Sequence, residues 1–168
     1  TVEGFVAKTV EQQTIAADGK TVVNVYYDRV TNDIVYKITG DLFANENYKT
    51  IEGVRYGTEL SLIQDNMIKA GYTWSGWTGL PTTMPAKGVV VTGSYAPATD
   101  TAYTVKYWFQ NVSGDEYSQN LDEYPDKAEK GTTGTQTAVK ADTVEGFVAK
   151  AVEQQTIAAD GKTVVNVY

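Results

Sequence analysis

Short runs of β-branched and aromatic residues recur along the chain, and polar or glycine-containing stretches separate them. In several runs apolar and polar residues alternate, which puts successive side chains on opposite faces of a strand, as in a half-buried sheet. The pattern therefore predicts a mainly β protein. The predicted strands are residues 6–13, 21–27, 34–39, 48–56, 72–77, 89–95 and 103–109.

One segment departs from this alternation. In residues 58–70, Leu60, Ile63 and Met67 recur at the spacing of a single helix face. Thr58 or Ser61 can cap the first turn, and Gly71 stands where a helix-ending glycine is common. We therefore predict a helix over residues 58–70.

Glycine, asparagine and charged residues predict the turns and loops. The Asp18-Gly19 pair lies between two β-prone runs and predicts a hairpin turn, since glycine adopts the positive φ that such a turn needs. Residues 40–47 and 125–134 are polar and contain glycine, so they are predicted loops. Residues 116–124 are the expected hairpin partner of 103–109. Residues 135–141 fit either a short strand or a helical turn.

The chain contains a long internal repeat. Residues 1–26 return 142 residues later as residues 143–168, and the copies differ only in Thr9 against Ala151. Near-identity implies recent duplication and copies that share one task. We therefore expect the chain to be one period of a longer tandem array plus the start of the next.

Composition narrows the classes of function. Lys and Arg total 14 against 21 Asp and Glu, which gives a net charge of −7 and argues against a nucleic-acid or anionic-membrane partner. An apolar run long enough to enter a bilayer is lacking from the sequence, so membrane insertion is not expected. Cysteine and histidine are both absent from the sequence. We expect no catalytic residues, no metal ligands and no cofactor.

The middle of the chain resembles a repeat of Gram-positive surface proteins, the Listeria–Bacteroides repeat found in internalins as the B repeat. Three motifs carry the resemblance: Val-Arg-Tyr-Gly at 54–57, Gly-Tyr-Thr-Trp-Ser-Gly-Trp at 71–77, and Met-Pro-Ala at 84–86 followed by the valine-rich run 89–95. The last third looks like a mucin-binding-protein (MucBP-like) repeat. Its pattern is Tyr-Thr-Val-Lys-Tyr at 103–107, Gly131 and Gly134, Glu-Gly-Phe at 145–147, and the closing valine-rich run.

The resemblance implies a domain organisation and a function. Residues 1–29 are the closing part of a MucBP-like module, 33–97 a Listeria–Bacteroides-like module, and 103–168 a second MucBP-like module. It implies an α+β, mainly β fold of small β-grasp (ubiquitin-like) modules in an elongated array. The expected role is a stalk segment of an extracellular, cell-wall-anchored adhesin that presents a distal binding domain. The alternative is a multivalent module that binds host glycan or protein.

Four aromatic residues are candidates for stacking on a sugar ligand: Tyr72, Trp74, Trp77 and Trp108. Tryptophans that alternate beside glycines more often pack a small sheet, because a small module has few large residues with which to build a core. Packing is therefore the favoured interpretation at all four positions.

The sequence also offers candidates for two chemical sites. Stalk modules of Gram-positive proteins sometimes carry an internal Lys–Asn isopeptide bond, and Lys106 with Asn166 is the candidate pair. Because Asn166 alternates with Val165 and Val167, an exposed edge asparagine is the favoured interpretation. Acidic residues gather between Asp115 and Glu129, but their spacing matches no calcium loop, so a solvated acidic loop is favoured.

The repeat has a consequence for assembly. The chain holds one leading half, residues 103–142, and two copies of the segment that completes it. The nearer copy, 143–168, closes the module at lower loop entropy, which leaves residues 1–26 as a hairpin without a sheet. We expect the partners of residues 1–26 to be neighbouring repeats or other copies of the chain.

Overall fold

The computed structural model describes residues 1–40 and 46–168. The predicted loop at 40–47 falls largely outside these residues. Within the described residues no helix is long and apolar enough to cross a membrane. The strands are β1 Phe5–Ala7, β2 Tyr27–Arg29, β3 Thr31–Thr39, β4 Glu46–Arg55, β5 Tyr72–Trp74, β6 Val89–Pro97, β7 Thr101–Tyr107, β8 Phe109–Gln110, β9 Tyr117–Ser118, β10 Lys127–Gly131 and β11 Thr163–Val167.

The chain divides into two compact units. Unit 1 comprises Thr1–Asp65 and Ser75–Tyr95, and unit 2 comprises Asn66–Trp74 and Ala96–Tyr168. The first 29 residues, expected from the sequence to be a separate partial module, cluster with unit 1. Residues 66–74, expected in the middle module, cluster with unit 2.

Unit 1 is organised on β3, which lies between β4 and β6. It pairs antiparallel with β4 and parallel with β6. The strand-to-strand register brings buried residues together, since Ile34 faces Val89 and Tyr36 faces Val91. The apolar positions that alternate in the sequences of β3 and β6 are therefore the positions whose side chains are buried in the sheet.

The core of unit 1 is completed from outside the strands. Met84 is fully buried beside Ile34, Tyr36, Val89 and Val91. The partly buried apolar residues packed on this cluster are Ile51, Val54, Leu60, Ile63, Trp77 and Leu80.

The predicted helix over residues 58–70 is wrong. Among the described residues the chain contains no helix, and this segment is irregular apart from isolated bridges at Glu59 and Lys69. Its backbone bonds to a second segment: the Leu60 amide donates to the Thr82 carbonyl at 2.9 Å, and the Met84 amide donates to the Thr58 carbonyl at 2.8 Å. Leu60 and Ile63 still pack against the core, but from a backbone that is not helical. The apolar spacing correctly predicted that these side chains face the core, but it predicted the wrong backbone conformation.

The expected α+β class is corrected by the same observation. A β-grasp module packs a helix across its sheet, and the described residues supply none, so the described part of the chain is all-β. The mainly β expectation is confirmed.

Unit 2 repeats the strand arrangement of unit 1 with a different sequence. Its central strand, β7, pairs antiparallel with β10 and parallel with β11. Val105 faces Val165, and Tyr107 faces Val167. The buried cluster consists of Tyr103, Val105, Ile157, Val165 and Val167.

Strand β10 lies in residues 125–134, for which the sequence pattern predicted a loop. Its sequence, Lys-Ala-Glu-Lys-Gly, offers almost no apolar signal. The strand forms because β7 provides a partner on one side, while its other side stays at the sheet edge, where charged residues are tolerated and discourage further pairing. A Cβ at Gly131 would require the Cδ1 end of the Ile157 side chain to shift.

The remaining strand predictions differ in extent. Strand β5 covers only the first half of the predicted strand 72–77. The Asp18-Gly19 turn forms, with Gly19 at φ +69° and its amide bonded to the Ala16 carbonyl at 3.2 Å. Of the flanking runs only the outer ends pair, as β1 with β2, where Ala7 faces Tyr27. Residues 8–26 belong to no strand in the described structure. Residues 109–110 and 117–118 do pair, as expected for the predicted hairpin.

A buried hydrogen bond in unit 2 allows a stability test. The Thr101 and Thr133 hydroxyls lie 2.7 Å apart, and both residues are buried. Thr101→Val or Thr133→Val alone strands one buried hydroxyl and should lower the free energy of unfolding by roughly 1–3 kcal/mol. The double variant should lie closer to wild type than the sum of the single changes, since no hydroxyl is stranded. Urea unfolding of the four chains measures this coupling, and strictly additive losses would contradict it.

Candidate functional site

The repeated segment adopts the same local structure in both copies. The Lys8 amide donates to the Tyr26 carbonyl at 2.8 Å, and the Lys150 amide donates to the Tyr168 carbonyl at the same distance. The amide of Ala16 donates to the Thr21 hydroxyl at 2.7 Å, and its counterpart Ala158 donates to Thr163 at 2.8 Å. Short-range hydrogen bonds of this kind depend on the segment itself, so the same sequence forms the same scaffold in two surroundings.

The later part of the segment is buried in one copy only. In the second copy, Ile157, Val165 and Val167 are 2%, 0% and 5% exposed, because the strand β11 lies against β7. The counterparts Ile15, Val23 and Val25 in the first copy are 85%, 43% and 48% exposed. Among the described residues, none from 9 to 26 belongs to a strand.

The early part of the segment shows the reverse. In the first copy, β1 pairs with β2, and Phe5 packs edge-on against Tyr56 with ring centroids 5.7 Å apart. Arg29 lies over the Phe5 ring at 5.1 Å and donates to the Tyr56 carbonyl at 2.9 Å. In the second copy, Phe147 touches Phe109 but stays 49% exposed.

Two equivalent glycines show the same contrast. Gly4 and Gly146 both adopt a positive φ, +77° and +83°. A Cβ at Gly4 would collide with the Tyr56 ring, whereas a Cβ at Gly146 would meet no described atom within 4 Å. The segment therefore has two attachment faces: an early face that contacts the residues after it, and a late face that contacts the leading half before it.

Unit 2 contains an aromatic cavity of about 360 Å³ at the start and end of this segment. Trp108 and Tyr168 stack with centroids 6.2 Å apart, and Tyr117 packs edge-on against Tyr168 at 5.3 Å. The Lys150 ammonium lies 4.6 Å from the Tyr117 ring centroid. Such a surface could hold the flat face of a sugar or an apolar side chain.

One edge of the cavity is polar. The Tyr107 hydroxyl donates to Asp142 Oδ2 at 3.4 Å. Partial burial raises the pKa of this hydroxyl, and the Asp142 carboxylate raises it further. Tyr107 is therefore a neutral hydrogen-bond donor at physiological pH.

The cavity wall includes residues 147–149, the counterparts of β1. In unit 1 this stretch pairs with β2, as Phe5 with Arg29 and Ala7 with Tyr27. The cavity thus includes a backbone edge that has a strand partner in the other copy. An edge of this kind is a surface for joining modules as much as a ligand site.

The aromatic residues singled out from the sequence do not form one cluster within a unit. Trp77 belongs to unit 1, where it packs edge-on against buried Tyr36 at 5.1 Å and lies 5.5 Å from Tyr48. Tyr72 and Trp74 belong to unit 2, and Lys69 lies over the Tyr72 ring at 5.9 Å. Trp108 lines the aromatic cavity. Sequence reasoning missed its neighbours Tyr117, Phe147 and Tyr168, which only the fold brings together.

Lys106 and Asn166 face one another across the parallel β7–β11 pairing, as the isopeptide hypothesis requires. Each side chain nevertheless has another partner. Lys106 forms an ion pair with Asp126 at 2.9 Å, and Asn166 Oδ1 accepts a hydrogen bond from Trp108 Nε1 at 2.9 Å. The hydrogen bond from Lys106, together with that from Gln119, lowers the pKa of Asp126. An ionised, solvent-accessible Asp126 is unsuited to protonating the amide for bond formation.

The acidic residues of unit 2 bind neighbouring side chains. Asp115 accepts a hydrogen bond from Gln110, Glu123 accepts one from Asn120, and Glu129 pairs with Lys127 at 2.7 Å. Among the described residues no three acidic side chains are grouped so that they could hold a metal ion.

The two copies provide an internally matched stability test. Val165→Ala removes two buried methyl groups and should lower the free energy of unfolding of unit 2 by roughly 2 kcal/mol. The equivalent change Val23→Ala acts on a residue of the same sequence context that is far more exposed, and should cost less than about 0.5 kcal/mol. If urea unfolding showed equal losses of unfolding free energy for the two variants, the difference in burial between Val165 and Val23 would be contradicted.

The isopeptide hypothesis has a direct test. From the partners of Lys106 and Asn166 we expect the intact mass of the folded chain to match its sequence, without the loss of one ammonia. A mass lower by one ammonia that reverts in Lys106→Arg would show that the bond forms.

Neither a family model nor a curated protein matches this chain. Among solved structures it is similar to "Streptococcal High Identity Repeats in Tandem (SHIRT) domains 3-4 from cell surface protein". The sequences are 12% identical, the alignment covers 82% of this chain and 97% of that chain, and the TM-score is 0.31. A similarity at this level is too low to transfer a fold or a function to this chain.

Proposed function

We propose that this chain is a segment of a tandem-repeat spacer in an extracellular bacterial surface protein, where it holds a distal binding domain away from the cell. One observation carries the proposal: residues 1–26 and 143–168 differ at a single position. When length is the selected property, identical units serve equally well, because each added unit contributes the same reach.

The two attachment faces of the repeated segment support this function. Its early face is contacted by residues that follow it in unit 1, such as Arg29 and Tyr56. Its late face is buried by β7, which precedes it in unit 2. A segment that contacts both its predecessor and its successor suits a chain of connected modules. The cell-surface location and the wall anchor are proposed from the resemblance to Gram-positive repeats.

Ligand binding is the second candidate, and the aromatic cavity favours it. Trp108, Tyr117 and Tyr168 surround a space of about 360 Å³ with a lysine beside it. Repetition of such a site along an array would raise avidity. The spacer function ranks first because part of the cavity wall, residues 147–149, is a strand-pairing edge in the other copy.

The two functions make different predictions for an array with added periods. If the chain is a spacer, each additional 142-residue period should lengthen the maximum dimension measured by small-angle X-ray scattering by a constant increment. The chain should show no saturable signal on a panel of host glycans. Chains of one, two and four periods make the comparison.

A saturable glycan signal would favour the binding module instead, provided that Trp108→Ala removes it. Trp77→Ala is unsuitable as its control because Trp77 packs on buried Tyr36. Tyr27→Ala, at a half-exposed aromatic residue of unit 1 outside the cavity, is the better control. A maximum dimension that stays constant as periods are added would overturn the spacer function.

A further inference from the structure

We propose that the exposed late face of the first copy, residues 9–26, is a docking surface for the leading half of another repeat of this chain, with a β7-type strand Thr101–Tyr107 as its occupant. The proposal deepens the array function by naming what joins successive units. It predicts parallel pairing of residues 21–25 with Thr101–Tyr107 of a second copy, in the register that β11 uses.

The first argument is preorganisation. The turn and its internal hydrogen bonds are the same in both copies, including Lys20 to Asp18 at 3.1 Å and Lys162 to Asp160 at 3.0 Å. Gly19 and Gly161 adopt nearly equal φ values, +69° and +71°. The turn of the free surface therefore already has the conformation that the occupied copy shows, which lowers the entropy cost of docking.

The second argument is complementarity. Val23 is the counterpart of Val165, which faces Val105 and is fully buried. Ile15 is the counterpart of Ile157, which packs in the same cluster. The surface that β7 needs is therefore present in the first copy, residue for residue.

The third argument is a cavity of about 330 Å³ on the exposed late face, lined in part by Asn24 and Tyr26. Their counterparts Asn166 and Tyr168 hold Trp108 in unit 2, through a 2.9 Å hydrogen bond and a ring stack. The cavity thus offers the two groups that would receive the Trp108 side chain of a second copy.

The early face limits the surface to residues 9–26. Residues 5–7 already pair with β2, and Gly4 lies against Tyr56 within unit 1. The sequence led us to expect that the whole segment 1–26 needs a partner, but only residues 9–26 remain as the proposed docking surface.

Competition within the chain determines how the docking can be observed. The β7 strand of each molecule is occupied by its own β11, which has the advantage of a high effective concentration. A full-length chain carrying Val165→Asp should free β7, because a carboxylate at a fully buried position cannot be accommodated. Adding Val23→Asp to that chain prevents its own residues 21–25 from pairing with the freed β7, and so prevents self-association.

The experiment mixes this double variant, Val23→Asp with Val165→Asp, with the full-length wild-type chain, whose residues 9–26 are free. We expect a one-to-one complex with twice the 18.3 kDa mass of the chain by light scattering. Amide exchange at residues 21–25 of the wild-type partner should slow on mixing, followed in peptides that extend past Tyr27 and so differ from the second copy. The matched control replaces the wild-type partner with Val23→Asp alone, and no complex should form.

Two outcomes overturn the proposal. A complex that forms equally well with the Val23→Asp control is non-specific association of an unfolded unit 2. The absence of a complex overturns it if a milder double variant, Val23→Asp with Val165→Ala, also fails to bind. Neither outcome touches the spacer function, which is tested by length and glycan binding rather than by strand exchange.

Discussion

The parallel pairing of β7 with β11 is the interaction on which unit 2 depends. It sets Val105 against Val165 and Tyr107 against Val167, and it closes the core over Ile157. Parallel neighbours cannot be joined by a tight turn, so the chain between them must cross over. That connection contains β8, β9 and β10, the cavity residues Trp108 and Tyr117, and the early face of the repeated segment. Loss of this pairing would therefore disorganise more than one strand.

The same constraint explains why the repeated segment behaves differently at its two positions. Its turn and short-range hydrogen bonds form in both copies, but its apolar side chains are buried only where β7 is adjacent. Unit 1 uses the same strand arrangement, with β3 between an antiparallel and a parallel neighbour. Under the proposed docking, a module whose last strand comes from a repeated segment would receive that strand from another copy within reach. An array built in this way gains length and connection from one piece of sequence.

The sequence predictions failed where a partner in space decided the structure. The apolar residues Leu60 and Ile63 do pack on the core, but the amide of Leu60 and the carbonyl of Thr58 bond to residues 82–84, so the segment is not helical. Strand β10 carries mostly charged residues and forms because β7 has an unpaired side to offer. The cavity around Trp108 could not be predicted for a similar reason. Its aromatic partners come from positions 117, 147 and 168, far apart in the chain.

The sequence by itself determined the 142-residue period, the mainly β character, the alternating core positions of β3, β6 and β7, and the local turn at Asp18-Gly19. These properties depend on neighbours within a few residues, or on a comparison of the chain with itself. The tertiary structure alone decided which apolar side chains are buried in each of the two copies, residues 1–26 and 143–168. Val23 and Val165 have the same sequence neighbours, so no local property can distinguish them. They differ because a strand more than fifty residues before Val165 lies beside it and excludes water.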